Sequence, residues 1–211
     1  MTLRGFLGLM LALAGGALWA QDAPDANGGK KRIVVLGDSI TAGYGLDPQE
    51  AYPALLQKKI DSAGLPYTVV NAGVSGDTTA GGLRRVSWAL GKGADVLVVA
   101  LGGNDGLRGI SPEQTEKNLS GIIDKAREKN PAIKVVVAGM QMPDNMGAEF
   151  TEKFKGLFAK VATEKKAALV PFLLEGVGGS EELNQQDRIH PTEKGQEKVA
   201  ESVWKVLKGE L

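Results

Sequence analysis

Three side chains in this sequence have the types and the spacing to activate a hydroxyl. Ser39 lies in VVLGDSITAG (residues 34–43), where a run of strand-forming residues ends in Gly37-Asp38 and the serine follows at once. A hydroxyl is a poor nucleophile at neutral pH and needs a base within reach. The chain has a single histidine, His190, in NQQDRIHPTEKG, with Asp187 shortly before it and Pro191 directly after. On a tight turn an aspartate so placed accepts the Nδ1 proton. That fixes the tautomer, steadies the imidazolium and leaves Nε2 to face a hydroxyl. Acyl transfer also needs donors where the oxyanion develops. The candidates are the Ser39 amide, a glycine amide in GVSGD (73–77) and the side-chain amide of Asn104 in GGND. Taken singly these signals are ordinary: a lone histidine is by default a surface or core residue, and an asparagine after glycines often only caps a turn. In this combination each gives the others a purpose.

The elements that must position these groups are legible as apolar runs. RIVVLG (32–37), TVVNAG (68–73), DVLVVALGG (95–103), IKVVVAGM (133–140) and AALVPF (167–172) are continuous and rich in Val and Ile. Continuous rather than alternating hydrophobicity predicts strands buried on both faces of a parallel sheet. Between them, residues 112–129 read as a helix. Ser111-Pro112-Glu113-Gln114 offers a capping box with proline in the first turn, and Leu119, Ile122, Ile123 and Ala126 share one face. Phe150, Phe154, Leu157 and Val161 mark another helix, and Ala200, Val203, Trp204 and Leu207 a terminal one. Strand–helix alternation over five units implies an α/β domain of three layers with a doubly wound, five-stranded parallel sheet. Ligands of such sheets bind beyond the carboxyl ends of the strands. Ser39, the loop at 73–77, Asn104 and His190 all follow strands, so they are expected at one edge.

Four segments, GDSITAGYG, NAGVSGDTTAGGLRR, LGGNDGLRG and DRIHP, together resemble the four blocks of the SGNH, or GDSL, hydrolases. The resemblance runs from about Ile33 through the last helix. GGNDGLRG and YPALL are most similar to the bacterial branch of multifunctional thioesterases, lysophospholipases and arylesterases. The one departure noted, Ile40 where leucine gives the family its name, is conservative. The resemblance implies a flavodoxin-like SGNH hydrolase fold, with Ser39 as nucleophile, His190 as base and Asp187 as its orienter. It implies an oxyanion hole of the Ser39 amide, Gly76 and Asn104. Gly73 competes with Gly76 in the second block, and Gly76 is preferred because SGDT aligns with that branch's motif. The implied activity is that of a serine esterase that hydrolyses carboxylic esters and thioesters through an acyl-enzyme. Aryl esters, lysophospholipids and acyl thioesters are the expected substrates, and a sugar O-acetylesterase is the alternative within the superfamily. The rival of another class is a non-catalytic flavodoxin-like binding domain, which leaves Asp187 and His190 unexplained.

Three loops should shape the acyl side: GLRGIS after Asn104, GMQMPDNMGAEF (139–150) and LLEGVGGSEEL (173–183). Met140, Met142, Met146, Leu173, Leu174 and Val177 give them an apolar, adaptable lining, the other reading being that most of these methionines complete the core.

Composition closes off other chemistries. Lys and Arg balance Asp and Glu at 25 each, so no charge excess invites nucleic acid or an anionic membrane. The absence of cysteine excludes disulfides, thiolate metal sites and a cysteine nucleophile. One histidine cannot supply a catalytic zinc site, and no phosphate-binding or dinucleotide glycine motif occurs. Neither a metal nor a cofactor is expected, and the expected partner is a small-molecule acyl ester or thioester. A monomer is favoured. Residues 1–20 have the layout of a signal peptide: Arg4, an apolar run from Phe6 to Leu18, and small residues toward Ala20. The run is broken by Gly15-Gly16 and is shorter than the roughly 20 residues a spanning helix needs. The expected organisation is therefore a signal peptide at 1–20, a flexible mature N-terminus at 21–31 and a hydrolase domain at 32–211. The expected protein is exported, periplasmic or secreted, with no stable membrane insertion after signal removal.

Overall fold

A computed structural model describes residues 29–211. The expected signal peptide and residues 21–28 lie outside the described residues. Five strands, β1 (Lys31–Gly37), β2 (Tyr67–Gly73), β3 (Val96–Ala100), β4 (Lys134–Ala138) and β5 (Ala168–Val170), form one parallel sheet in the order β2-β1-β3-β4-β5. The helices are α1 (Ser39–Ala42), α2 (Tyr52–Ser62), α3 (Thr79–Ala89), α4 (Gly103–Leu107), α5 (Pro112–Lys129), α6 (Ala148–Glu164) and α7 (Glu193–Leu207). α2 and α7 pack together on one face, and α3, α5 and α6 form the layer on the other. This is the doubly wound three-layer architecture expected from the sequence.

The expectation of strands buried on both faces holds for the centre of the sheet. β3 is buried throughout, as are β1 from Ile33 and β4 from Val135. The edge strands β2 and β5 are only partly covered, because each has a neighbour on one side alone. In α5 the predicted face of Leu119, Ile122, Ile123 and Ala126 is buried, and Ser111 Oγ accepts from the Gln114 N–H at 3.2 Å. The reciprocal half of the capping box does not form; the Gln114 amide donates instead to Asn118 Oδ1 at 2.9 Å. Among the described residues no helix is long and apolar enough to cross a membrane.

The sheet order reverses direction between β1 and β3, and an open α/β sheet leaves a crevice at that point. Ser39 begins α1 directly after β1, and Asn104 lies in α4 directly after β3. α7 returns to this edge. The Gln196 side chain, buried on α7, donates to Ile40 O at 3.0 Å and accepts from the Tyr52 N–H at 2.9 Å.

Candidate active site

Ser39 stands where the strand-to-helix turn exposes its hydroxyl. As the first residue of α1 it has an N–H with no acceptor inside the helix. Asp38 caps this turn, its Oδ1 accepting from the Ile40 N–H at 3.0 Å. Gly37 permits the geometry, since a Cβ there would collide with the Thr41 side chain.

The turn before α7 is built around Asp187. Its Oδ1 accepts from the N–H groups of Ile189 at 2.9 Å and His190 at 3.0 Å, and its Oδ2 lies 2.6 Å from His190 Nδ1. The closing turn holds Arg188 in the left-handed region at φ 59°, an uncommon state for a non-glycine residue. Gln185 N–H donates to His190 O at 2.7 Å and Arg188 N–H to Gln185 O at 2.8 Å, which locks the loop. Three donors hold the Asp187 carboxyl at about 2, below its usual range, the imidazole contributing most. With the Nδ1 N–H donated to Asp187 Oδ2, Nε2 is left to accept, and it lies 2.9 Å from Ser39 Oγ. The Tyr44 ring covers His190 at a centroid distance of 4.5 Å.

The second and third loops are strapped together. Asp105, fully buried on α4, accepts from the Thr79 N–H at 2.8 Å and from the Thr79 hydroxyl, and Asn118 donates to the same hydroxyl at 3.0 Å. Arg108 donates to Gly76 O at 2.9 Å. Arg85 binds Asp77 Oδ2 at 2.7 Å and donates to Ala72 O and Gly37 O, so one guanidinium gathers the ends of β1 and β2.

The two glycines of the second block differ in what their backbones do. The Gly73 N–H is already given to Asn71 Oδ1 at 2.9 Å, and a Cβ there would strike the backbone of α1. Gly73 is a packing glycine at a strand end. Gly76 turns at φ 78°, is exposed, and its N–H has no protein acceptor among the described residues. The Asn104 side chain has one polar partner among the described residues, Asp38 Oδ2 at 3.4 Å.

A cavity of about 530 Å³ opens beside Ser39, with His190 and Asn104 in its wall. Its apolar lining includes Leu107, Met140, Met142, Phe172, Leu174 and Ile189. All three loops expected to shape the acyl side contribute. Of the side chains proposed from sequence, Met140, Met142 and Leu174 line the cavity, and three do not. Leu173 and Val177 are buried in the core, where the Leu173 N–H donates to Gly139 O at 2.8 Å. Met146 packs against the core and borders a separate depression with Pro112 and Phe150. Apolarity alone does not tell an acyl wall from core. Sequence reasoning missed Asp38, Tyr44, Phe172 and Ile189. Asp38 had one signal, a carboxylate at a buried strand end beside the nucleophile, and the others had none. Asn184, also in the wall, donates to Val177 O and Ser180 O while its Oδ1 stays buried without a partner among the described residues.

Comparison with known proteins identifies a family and its relatives. Residues 35–198 match the model of the GDSL-like Lipase/Acylhydrolase family. The chain is 47% identical over 177 residues to esterase TesA of Pseudomonas aeruginosa, covering 83% of this chain and 87% of that protein. It is 38% identical over 176 residues to thioesterase 1/protease 1/lysophospholipase L1 of Escherichia coli K12, covering 83% and 82% of the two chains. Among solved structures, a crystal structure of TesA superposes with a TM-score of 0.81 at 45% identity, covering 86% of this chain and all of that one.

Proposed function

The chain belongs to the GDSL-like lipase/acylhydrolase family, and from that premise we propose that it is a serine esterase working through an acyl-enzyme on Ser39. The observation that carries the reading is the continuous relay from Asp187 Oδ2 to His190 Nδ1 (2.6 Å) and from His190 Nε2 to Ser39 Oγ (2.9 Å).

In this mechanism His190 takes the Ser39 proton as the oxygen attacks the acyl carbonyl. Asp187 keeps the ring in the productive tautomer and faces the imidazolium that forms. The oxyanion receives hydrogen bonds from the Ser39 and Gly76 amides and the Asn104 side chain, placed before the reaction and so costing little reorganisation. His190 then returns the proton to the leaving alkoxide or thiolate, giving an ester on Ser39. Water, deprotonated by the same imidazole, attacks that ester and releases the acid.

The substrates are carboxylic esters and thioesters, with aryl esters and lysophospholipids among them. The apolar cavity beside Ser39 holds the acyl portion. The reading extends to an exported protein, periplasmic or secreted, cleaved near Ala20 and working as a monomer on small molecules rather than nucleic acid. A serine-directed phosphonate is expected to add once per chain, at Ser39, with loss of p-nitrophenyl ester hydrolysis. Activity that survives full labelling, or an adduct elsewhere, overturns the assignment. A series of p-nitrophenyl esters of rising chain length, run beside acyl-CoA, ranks the acyl and leaving groups.

A further inference from the structure

Asp38 is the residue in this site whose cost has no counterpart in the relay. Its side chain is 3% exposed, lies in the cavity floor next to Ser39, and meets two donors, the Ile40 N–H at 3.0 Å and Asn104 Nδ2 at 3.4 Å. A buried carboxylate is normally retained only where it is well paired. We propose that Asp38 is a positioning residue that orients the side-chain amide of Asn104 toward the oxyanion and ties that amide to the Ser39 turn. The proposal rests on the esterase reading above.

The physical basis is the asymmetry of an amide. The nitrogen and oxygen ends of Asn104 are similar in size, so packing selects weakly between them. An ionised carboxylate accepts only, so it selects the NH₂ end and repels the carbonyl end. One Asn104 N–H then points at Asp38, and the second is left for the cavity that Asn104 lines. The other oxygen of the same carboxylate caps α1 through Ile40, the residue after Ser39. A single rigid group thus sets the separation between two oxyanion donors, the Ser39 amide and the Asn104 amide. Gly103 allows the approach, since a Cβ there would lie 3.4 Å from Asp38 Oδ2 and 3.1 Å from Met140 Cε.

The charged and titratable groups facing Asp38 are His190 and Tyr52. Burial outweighs the help from Ile40, His190 and Asn104, and pushes the Asp38 carboxyl up to about 6. An acid placed only for stability has no reason to sit so poorly paired.

The decisive variant is Asp38→Asn. Its one carbonyl oxygen can serve Ile40 or Asn104 but not both, and its NH₂ opposes the Asn104 NH₂. We expect kcat to fall at least about tenfold, toward the 10²–10³ that loss of a whole oxyanion donor costs, with KM held within about twofold. In an Asn104→Ala background, Asp38→Asn should lower kcat by less than about threefold, because the group it orients is gone. Full additivity of the two substitutions overturns the proposal, as does an unchanged kcat in the single variant. Phosphonate labelling of Ser39 in the same variants separates the two claims. If Ser39 labels and Ser39→Ala is inactive while Asp38→Asn retains full kcat, the esterase reading stands and only this inference falls. Should the variant not fold, a measurement without substitution at position 38 remains. In His190→Ala, which removes the imidazole titration, the Asn104 side-chain amide protons should shift with a carboxylate titration at pH 6 or above. Amide signals that stay fixed over that range overturn the inference.

Discussion

The two carboxylates of the site, Asp38 on the sheet edge and Asp187 on the turn before α7, are the same residue in opposite circumstances. Asp187 is 38% exposed at its side chain and has three donors within 3.0 Å, and its carboxyl is held at about 2. Asp38 is buried with two donors, one of them at 3.4 Å, and its carboxyl is pushed up to about 6. The exposed acid is the easier to keep ionised, because the His190 imidazole and then the backbone N–H groups of the turn donate to it. The buried acid sits where strand ends and short helices leave few donors free. The turn organises itself locally, whereas the floor depends on the whole sheet.

That contrast can be tested from its largest consequence downward. Ser39→Ala should cost on the order of 10⁶ in kcat, since no other group can carry the acyl intermediate. Near-normal turnover of p-nitrophenyl esters in this variant removes the reason for comparing the two acids at all. Asp187→Asn should lower kcat on the order of 10³–10⁴-fold, because the ring loses the acceptor that fixes its tautomer. A loss as small as that expected for Asp38→Asn makes the two acids equivalent and breaks the comparison. Asn104→Ala should cost about 10²–10³, the scale of one oxyanion donor.

Stability sharpens the contrast, because the two acids carry opposite signs. Asp38 is raised from 3.8 to about 6. Its protonated form is favoured by the fold, so stability is fullest below 3.8 and is lost as pH rises through 6, by about 3 kcal/mol. Asp187 is lowered from 3.8 to about 2, so what it contributes is present above 3.8 and lost as pH falls through 2; exposure to water keeps that contribution small. Urea unfolding of Asp38→Asn should therefore gain on wild type between pH 4 and pH 8, and Asp187→Asn should show no such gain. A difference for Asp38→Asn that is flat with pH would show that its carboxyl is ordinary. The smallest effect concerns the cavity wall on the floor side. Met142→Ala should change the preference for long over short acyl chains by roughly tenfold, while Met146→Ala leaves the ratio unchanged, as measured by kcat/KM across the ester series.

What was legible in the sequence follows the same division. β1, β3 and β4 declare themselves by unbroken Val and Ile, and the turn residues Asp187 and His190 by spacing and by the solitude of the histidine. α5 shows its cap and its face. α2 and α3 were not singled out, and their sequences explain it. α3, TAGGLRRVSWA, carries two glycines that weaken helix propensity, and one of them, Gly82, is there because a Cβ would collide with Leu101. Tertiary packing made that helix, and no local pattern records it. The same holds for the floor. Beyond the strand end on which Asp38 sits, nothing in the sequence tells that Asp105 is buried while Asp187 is exposed, because burial is decided by elements far along the chain. Leu173 and Leu174 are adjacent and identical, yet the first faces the core and the second the cavity.

The amide of Gln196, which bonds both Ile40 and Tyr52, also ties the end of the chain to its beginning. Ser39 and His190 are 151 positions apart, and the helix that brings the imidazole to the hydroxyl is α7. A chain growing from its amino end presents the serine first and the base almost last. A chain without the segment from His190 onward has the Ser39 hydroxyl but not the imidazole that faces it. Removal of residues 190–211 is therefore expected to abolish p-nitrophenyl ester hydrolysis even though Ser39 is retained.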